Sequence, residues 1–316
     1  MKLQTQIPLK PEQHNQIDYY SKLLLLGSCF VENIGSKLNY FKFQNTINPF
    51  GILFHPIAIQ ELITNAVNEK TYIENDIFFH NEQWHCFDGH SQLSTTTKDK
   101  LLESLNRGIE ILNKQITQST HIIITLGTAW VYRHVETDRL VANCHKVPQK
   151  QFLKELLSVD MITESLESII ALIKTVNSNA SVLFTVSPIR HLKDGFLENT
   201  QSKSHLLAAI HQVVAPRKQQ YYFPSYEIMM DELRDYRFYK DDMIHPNQTA
   251  INYIWEKFQN VWISESSKET MQKVDDIQKG LAHKTFNPNS ESHKLFLQQL
   301  DIKQSLINKA FPFIKF

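Results

Sequence analysis

The sequence predicts an α/β fold, a three-layer α/β/α sandwich around a mostly parallel sheet, carrying hairpin insertions and a helical C-terminal tail. Three observations predict it. Short apolar runs end at glycine or serine, and stretches with helical periodicity separate them. The apolar runs also lack the polar alternation of a sheet with one wet face, which marks strands covered on both sides.

Leu23-Leu24-Leu25-Leu26 is the first such run and stops at Gly27-Ser28, a strand entering a tight turn. Phe30, Ile34 and Leu38 follow at helical spacing, so a helix begins close to Ser28. Residues 77–87 and 131–142 fit this succession of strands and helices poorly and read as hairpins forming a flap, the second turning at Glu136-Thr137-Asp138. Leu101, Leu105, Ile109 and Leu112 share a helical face ahead of the strand at 121–125, which runs to Gly127. Ile162, Leu166, Ile169 and Ile173 form another ahead of the strand at 181–186, which ends at Ser187-Pro188. A helix over 204–214 precedes a weaker strand at 220–223, and Ile251, Ile254, Trp255 and Phe258 share a face after Asn247. Beyond Ser264 the chain becomes charged and helical, loops through 283–288, and ends in one or two short helices. The expected division is a catalytic domain over 1–263 and a helical extension over 264–316.

At 316 residues, with 42% hydrophobic and 21% charged residues, the chain encloses an ordinary globular core. Thirty-three basic residues balance thirty-three acidic ones, so no overall field draws nucleic acid or anionic lipid. No run of eighteen apolar residues suggests a membrane span, and residues 1–22 lack a secretory apolar stretch. Cys29, Cys86 and Cys144 cannot all pair. A reduced cytoplasmic protein without nucleic-acid or membrane partners is the expectation.

In parallel sheets ligands collect at the carboxyl ends of the strands, where Ser28, Gly127 and Ser187 fall. A serine at a strand-to-helix turn is a potential nucleophile if a base takes its proton, and helix N-terminal N–H groups can receive an oxyanion. Otherwise it caps the helix. Asp242-Met243-Ile244-His245 supplies a base with a carboxylate three residues away, able to fix the imidazole's tautomer. Asp241 competes for the acidic role, and the pair could equally be a solvated helix start.

A Gly–Ser turn after the first strand combined with a late D-x-x-H resembles the SGNH (GDSL-type) hydrolases. The likeness is closer still to the GSCFA-domain family, whose first motif here reads Gly27-Ser28-Cys29-Phe30-Val31, with valine in the last place. Residues 48–51 (NPFG), 126–132 (LGTAWVY), 142–146 (ANCHK), 187–191 (SPIRH) and 242–246 also resemble that family, so the likeness spans most of 20–300. It implies an SGNH-like, flavodoxin-like fold and a serine esterase site with Ser28, His245 and Asp242 as triad. It names no substrate and calls for no metal or cofactor. SGNH enzymes complete the oxyanion hole with a glycine N–H and an asparagine from a G-x-N segment. Here Gly127-Thr128-Ala129 has alanine instead. The N–H groups of Ser28 and Gly51, helped by Asn143 or Thr128, are the expected replacements. Lys146 and Arg190 could hold a substrate anion, and His145 and His191 stand nearby as alternative bases. Trp130 and Tyr132 could stack on the sugar of an O-acylated carbohydrate.

Four rival readings stand beside this one. His80, His85, Cys86, Asp88 and His90 could gather a metal. Cys29 could be the nucleophile. The fold could bind glycans or other ligands without turnover. An acyltransferase would share the covalent step and differ in the acceptor.

Overall fold

The run at Leu23–Leu26 becomes an inner strand because all four leucines are buried on alternate faces of one sheet. The computed structural model describes residues 5–316. In chain order its elements are β1 (Lys22–Gly27), α1 (Cys29–Tyr40), β2 (Gln44–Ile47), α2 (Pro56–Val67), β3 (Phe78–His80), β4 (Gln83–His85), α3 (Lys98–Gln118), β5 (His121–Leu126), β6 (Trp130–His134), β7 (Arg139–Val141) and β8 (Phe152–Leu156). Then come α4 (Val159–Val176), β9 (Ser181–Val186), α5 (Phe196–Val213), β10 (Gln220–Tyr222), the single turn α6 (Ser225–Glu227), α7 (Gln248–Trp262), α8 (Glu265–Ala282) and α9 (Glu291–Ala310).

Five strands form a parallel sheet in the order β10-β9-β5-β1-β2. Counted along the chain, the sheet strands run 2-1-3-4-5 from one edge, a doubly wound order that reverses between β1 and β5. Ser28 follows β1 directly at that reversal, where such sheets open a crevice for ligands.

Strand periodicity divides the core in two. Leu24 and Leu26 of β1, Ile122 and Ile124 of β5, and Val182 and Phe184 of β9 pack beneath α2, α3, α4 and α5. Leu23, Leu25, Ile123 and Leu183 face the other way, toward α1, α7, α8 and α9. The result is the expected three-layer α/β/α arrangement with a helical C-terminal region. Among the described residues no helix is long and apolar enough to cross a membrane.

Some elements differ from the expectation. The short edge strand β2 (Gln-Asn-Thr-Ile) is half-buried throughout, so it shows no apolar run. α2 and β8 are additional, and β8 extends the second hairpin to a three-stranded sheet, β7-β6-β8. α5 starts at Phe196, not near 204, because the inward positions of its first turns are polar: Asn199, Ser202 and Lys203 are all buried. The tail ends in one helix of 20 residues, α9.

Candidate active site

Ser28 occupies the N-cap position of α1, yet its side chain caps nothing. The residue is fully buried, and its Oγ has no hydrogen-bond partner among the described residues. Such orphans are uncommon in folded proteins because each costs free energy. The position is fixed by backbone. Ser28 N–H donates to the Thr125 carbonyl at 3.0 Å, extending the β1–β5 ladder by one residue. The preceding Gly27 has φ 128°, and a Cβ there would lie 2.1 Å from the Thr125 oxygen, so only glycine lets β1 turn this close to β5.

The loop after β2 wraps that turn. Leu53 N–H donates to Gly27 O at 3.0 Å, and Gly27 N–H donates to Asn48 Oδ1 at 2.9 Å. Asn48 Nδ2 is buried without a partner among the described residues. Sequence reasoning places Asn48 only in a family-like stretch; its role depends on a tertiary contact that no spacing reveals.

The backbone donors expected at the oxyanion site are already engaged. Ser28 N–H is held by Thr125, and Gly51 N–H donates to Asn48 O at 2.8 Å. Gly127 N–H and Thr128 N–H share the Phe54 carbonyl at 2.7 and 3.0 Å. Thr128 Oγ1 pairs with Ser202 and accepts from Trp130 N–H. All four residues thus spend these donors on bonds within the fold. The first-turn N–H groups of α1, from Cys29 and Phe30, are ones beside Ser28 that no carbonyl takes among the described residues.

The polar turns of α5 brace the strand ends. Ser202 Oγ accepts from Ala129 N–H at 2.7 Å, and Asn199 Oδ1 accepts from His191 N–H at 2.9 Å. Lys203 is wholly buried, donating from Nζ to the carbonyls of Gly127 (2.6 Å) and Ser187 (2.8 Å). Burial pulls its pKa from 10.5 down to about 7, and the thiol of Cys29 lies within its field. Lys203 is a second residue that sequence reasoning misses, since a lone lysine in a helical stretch reads as solvated.

Asp242 and His245 sit on a tight loop entering α7. Asp242 Oδ1 accepts the N–H groups of Ile244 and His245, both at 2.9 Å, and Oδ2 meets His245 Nδ1 at 2.7 Å. Those backbone donors, then the imidazole, lower the Asp242 pKa to about 2, so it is ionised at neutral pH. Asn247 anchors the loop by capping α7 through Ala250 N–H and donating to Arg237 O. Arg190 N–H donates to Ile244 O at 3.3 Å, which docks the loop on the segment after β9. The His245 side chain is 41% exposed, and no hydrogen bond joins it to Ser28.

A cleft of about 440 Å³ is walled by the β6–β7–β8 flap, and His191, which lies within the field of His245, is part of its lining. Phe54, Thr128, Trp130, Tyr132, Lys146 and His191 line it, together with Asn143 and His145. Asn143 therefore belongs to the cleft wall. Its Oδ1 accepts from His145 N–H at 2.8 Å and from Ser91 Oγ at 3.2 Å, which shapes the 142–146 turn. His145 is pinned between Ser91 Oγ and the Cys86 carbonyl, and burial lowers its pKa to about 4. His191 is likewise held neutral by burial, with Lys203 and His245 adding repulsion, and its Nε2 has no partner among the described residues. Arg190 does not join Lys146. Its guanidinium covers the ring of Tyr239 at 4.5 Å and lines a separate pocket of about 130 Å³.

Burial pushes the Cys29 thiol up, away from the thiolate a cysteine nucleophile needs. His85 spends both ring nitrogens, on Ser94 Oγ at 2.6 Å and the His80 carbonyl at 3.0 Å. Among the described residues no three His, Cys, Asp or Glu side chains converge as a metal site.

Residues 22–258 match the sequence model of the GSCFA family, and residues 274–316 match that described as the GSCFA domain protein, C-terminal domain. No curated protein matches the chain.

Proposed function

The chain therefore belongs to the GSCFA family, and from that premise we propose that it is a serine esterase of SGNH type acting on small esters. The observation that carries the reading is Ser28 Oγ, buried at the sheet's reversal point and free of the capping bond its position invites. Ser28 Oγ attacks the ester carbonyl carbon while His245 takes its proton. The C–O bond to the alcohol then breaks, His245 returns the proton to the leaving oxygen, and an acyl-enzyme remains. Water, activated by His245, attacks that acyl group and frees Ser28. Asp242, ionised and bonded to Nδ1, holds the tautomer that leaves Nε2 as the base. The Ser28–His245 hydrogen bond needed for attack is not formed in the described structure. Catalytic hydrogen bonds commonly tighten only when substrate is seated. Trp130 and Tyr132 on the cleft wall support an O-acylated carbohydrate as substrate.

The test is covalent labelling with a fluorophosphonate, followed by assays on a panel of acyl esters. Labelling of wild type that disappears in Ser28→Ala and His245→Ala supports the esterase. A second reading, a ligand-binding module without turnover, draws on the engagement of the Ser28, Gly51 and Gly127 N–H groups. It predicts no labelling of wild type and retention of carbohydrate or acyl ligands by Ser28→Ala. An acyltransferase would label as the esterase does but release the acyl group faster when an acceptor alcohol is added.

A further inference from the structure

We infer that Asn48 is the side-chain oxyanion donor of this site, in place of the asparagine missing after Gly127. The inference rests on the Ser28 reading above. Its amide is oriented without ambiguity: Gly27 N–H is a donor, so the atom it meets at 2.9 Å is the oxygen, and the other end is NH₂. Among the described residues that NH₂ is buried and unpartnered, as is the hydroxyl of the residue next to Gly27. A buried amide with one end saturated and the other empty costs stability unless something arrives to fill it. The loop holds the group rigidly. Asn48 N–H donates to Leu25 O at 2.9 Å, its carbonyl accepts Gly51 N–H, and its φ of 41° is a left-handed conformation that asparagine tolerates and branched residues do not. Pre-set donors of this kind stabilise charge at the moment it develops, because no reorganisation is then required. With Ser28, Gly51, Gly127 and Thr128 N–H all committed, Asn48 Nδ2 together with the first-turn N–H groups of α1 form the donor set around Ser28.

Substitution separates donor from scaffold. Asn48→Asp keeps an oxygen for Gly27 N–H and suits the same backbone, but replaces the NH₂ with an acceptor. Asn48→Gly keeps the backbone conformation and removes the side chain without adding charge, giving up the Gly27 N–H acceptor as well, so a lower thermal midpoint is expected for it. The measurement is the second-order rate of phosphonylation of the full chain by a fluorophosphonate probe, with the thermal midpoint recorded in parallel. In that reaction Ser28 Oγ attacks phosphorus, the P–F bond breaks, fluoride leaves, and the serine proton passes to His245. The expected result is a loss on the order of 10²- to 10³-fold in both variants, with the Asn48→Asp midpoint near that of wild type. Wild-type rates in either folded variant overturn the Asn48 assignment and leave the Ser28 reading standing. Absence of labelling in wild type overturns both. If Asn48→Asp melts early, Asn48→Gly decides.

Discussion

A buried hydroxyl without a partner costs roughly 1–3 kcal/mol, so Ser28 is a residue the fold would be more stable without. Ser28→Ala is expected to unfold at an equal or higher temperature than wild type while losing all fluorophosphonate labelling, a pairing that a structural serine would not give. Asp242→Asn keeps the loop's shape but removes the charge that compensates a protonated His245. The expected fall in labelling or turnover is on the order of 10⁴-fold, with the fold intact by circular dichroism. Lys203 makes a prediction about pH. Its folded value, about 7, lies below its ordinary 10.5, so between those values the unfolded chain binds the extra proton. Wild-type stability therefore rises with pH across that window, by at most about 1.4 kcal/mol per pH unit. Below pH 7 the full cost of the buried charge is present. In urea unfolding at pH 6 and pH 9.5, the stability difference between Lys203→Met and wild type should shift toward wild type at the higher pH. Ser28 and the Asp242–His245 pair are legible because their signal is local: a glycine-serine step after an apolar run, and an imidazole three positions after an acid. Asn48 and Lys203 are not, because each is defined by a partner far along the chain.

Among the elements, β1, β5 and β9 announce themselves as apolar runs because both their faces are covered. β2 hides because an edge strand needs no apolar run, and α5 hides its first two turns. Helical patterning marks a core only when the core is apolar, and those turns point Asn199, Ser202 and Lys203 at the carbonyls and amides of the strand ends. α2 carries the opposite lesson. Ile59, Leu62, Ile63 and Ala66 form a stripe behind a proline at the first position, a complete helix signature for an element outside the expectations. The start of α7 is where element and chemistry meet. Asn247→Ala removes the cap on Ala250 N–H and the bond to Arg237 O, so it should cost about 1–2 kcal/mol of stability. It should also lower the labelling rate, because the same residue moors the loop that carries His245.

Across the whole molecule the sheet separates two cores of unequal completeness. The side facing α1 and α7 is closed by the tail, through Val274 and Ile277 of α8, Leu300 and Ile307 of α9, and Ile314 beyond it. A chain ending after residue 282 would bare the apolar surface that α9 covers. It is expected to melt at a lower temperature and to bind a hydrophobic dye such as ANS, as scanning calorimetry and dye fluorescence would show. The three-layer α/β architecture could be read from the sequence because the runs of β1, β5 and β9 end at a glycine or serine and the spacing between them holds helices. The strand order that places the crevice beside β1 could not, since nothing local states which strands are neighbours.

The flap has a consequence of its own. β6, β7 and β8 hydrogen bond to one another as a separate antiparallel sheet, while Ser28 is held by the ladder of the parallel one. The wall that judges a molecule's shape and the hydroxyl that would react with it thus stand on different foundations. Grafting another protein's β6–β8 segment between Ala129 and Leu157 would therefore change the wall of the cleft while leaving the ladder that holds Ser28 in place.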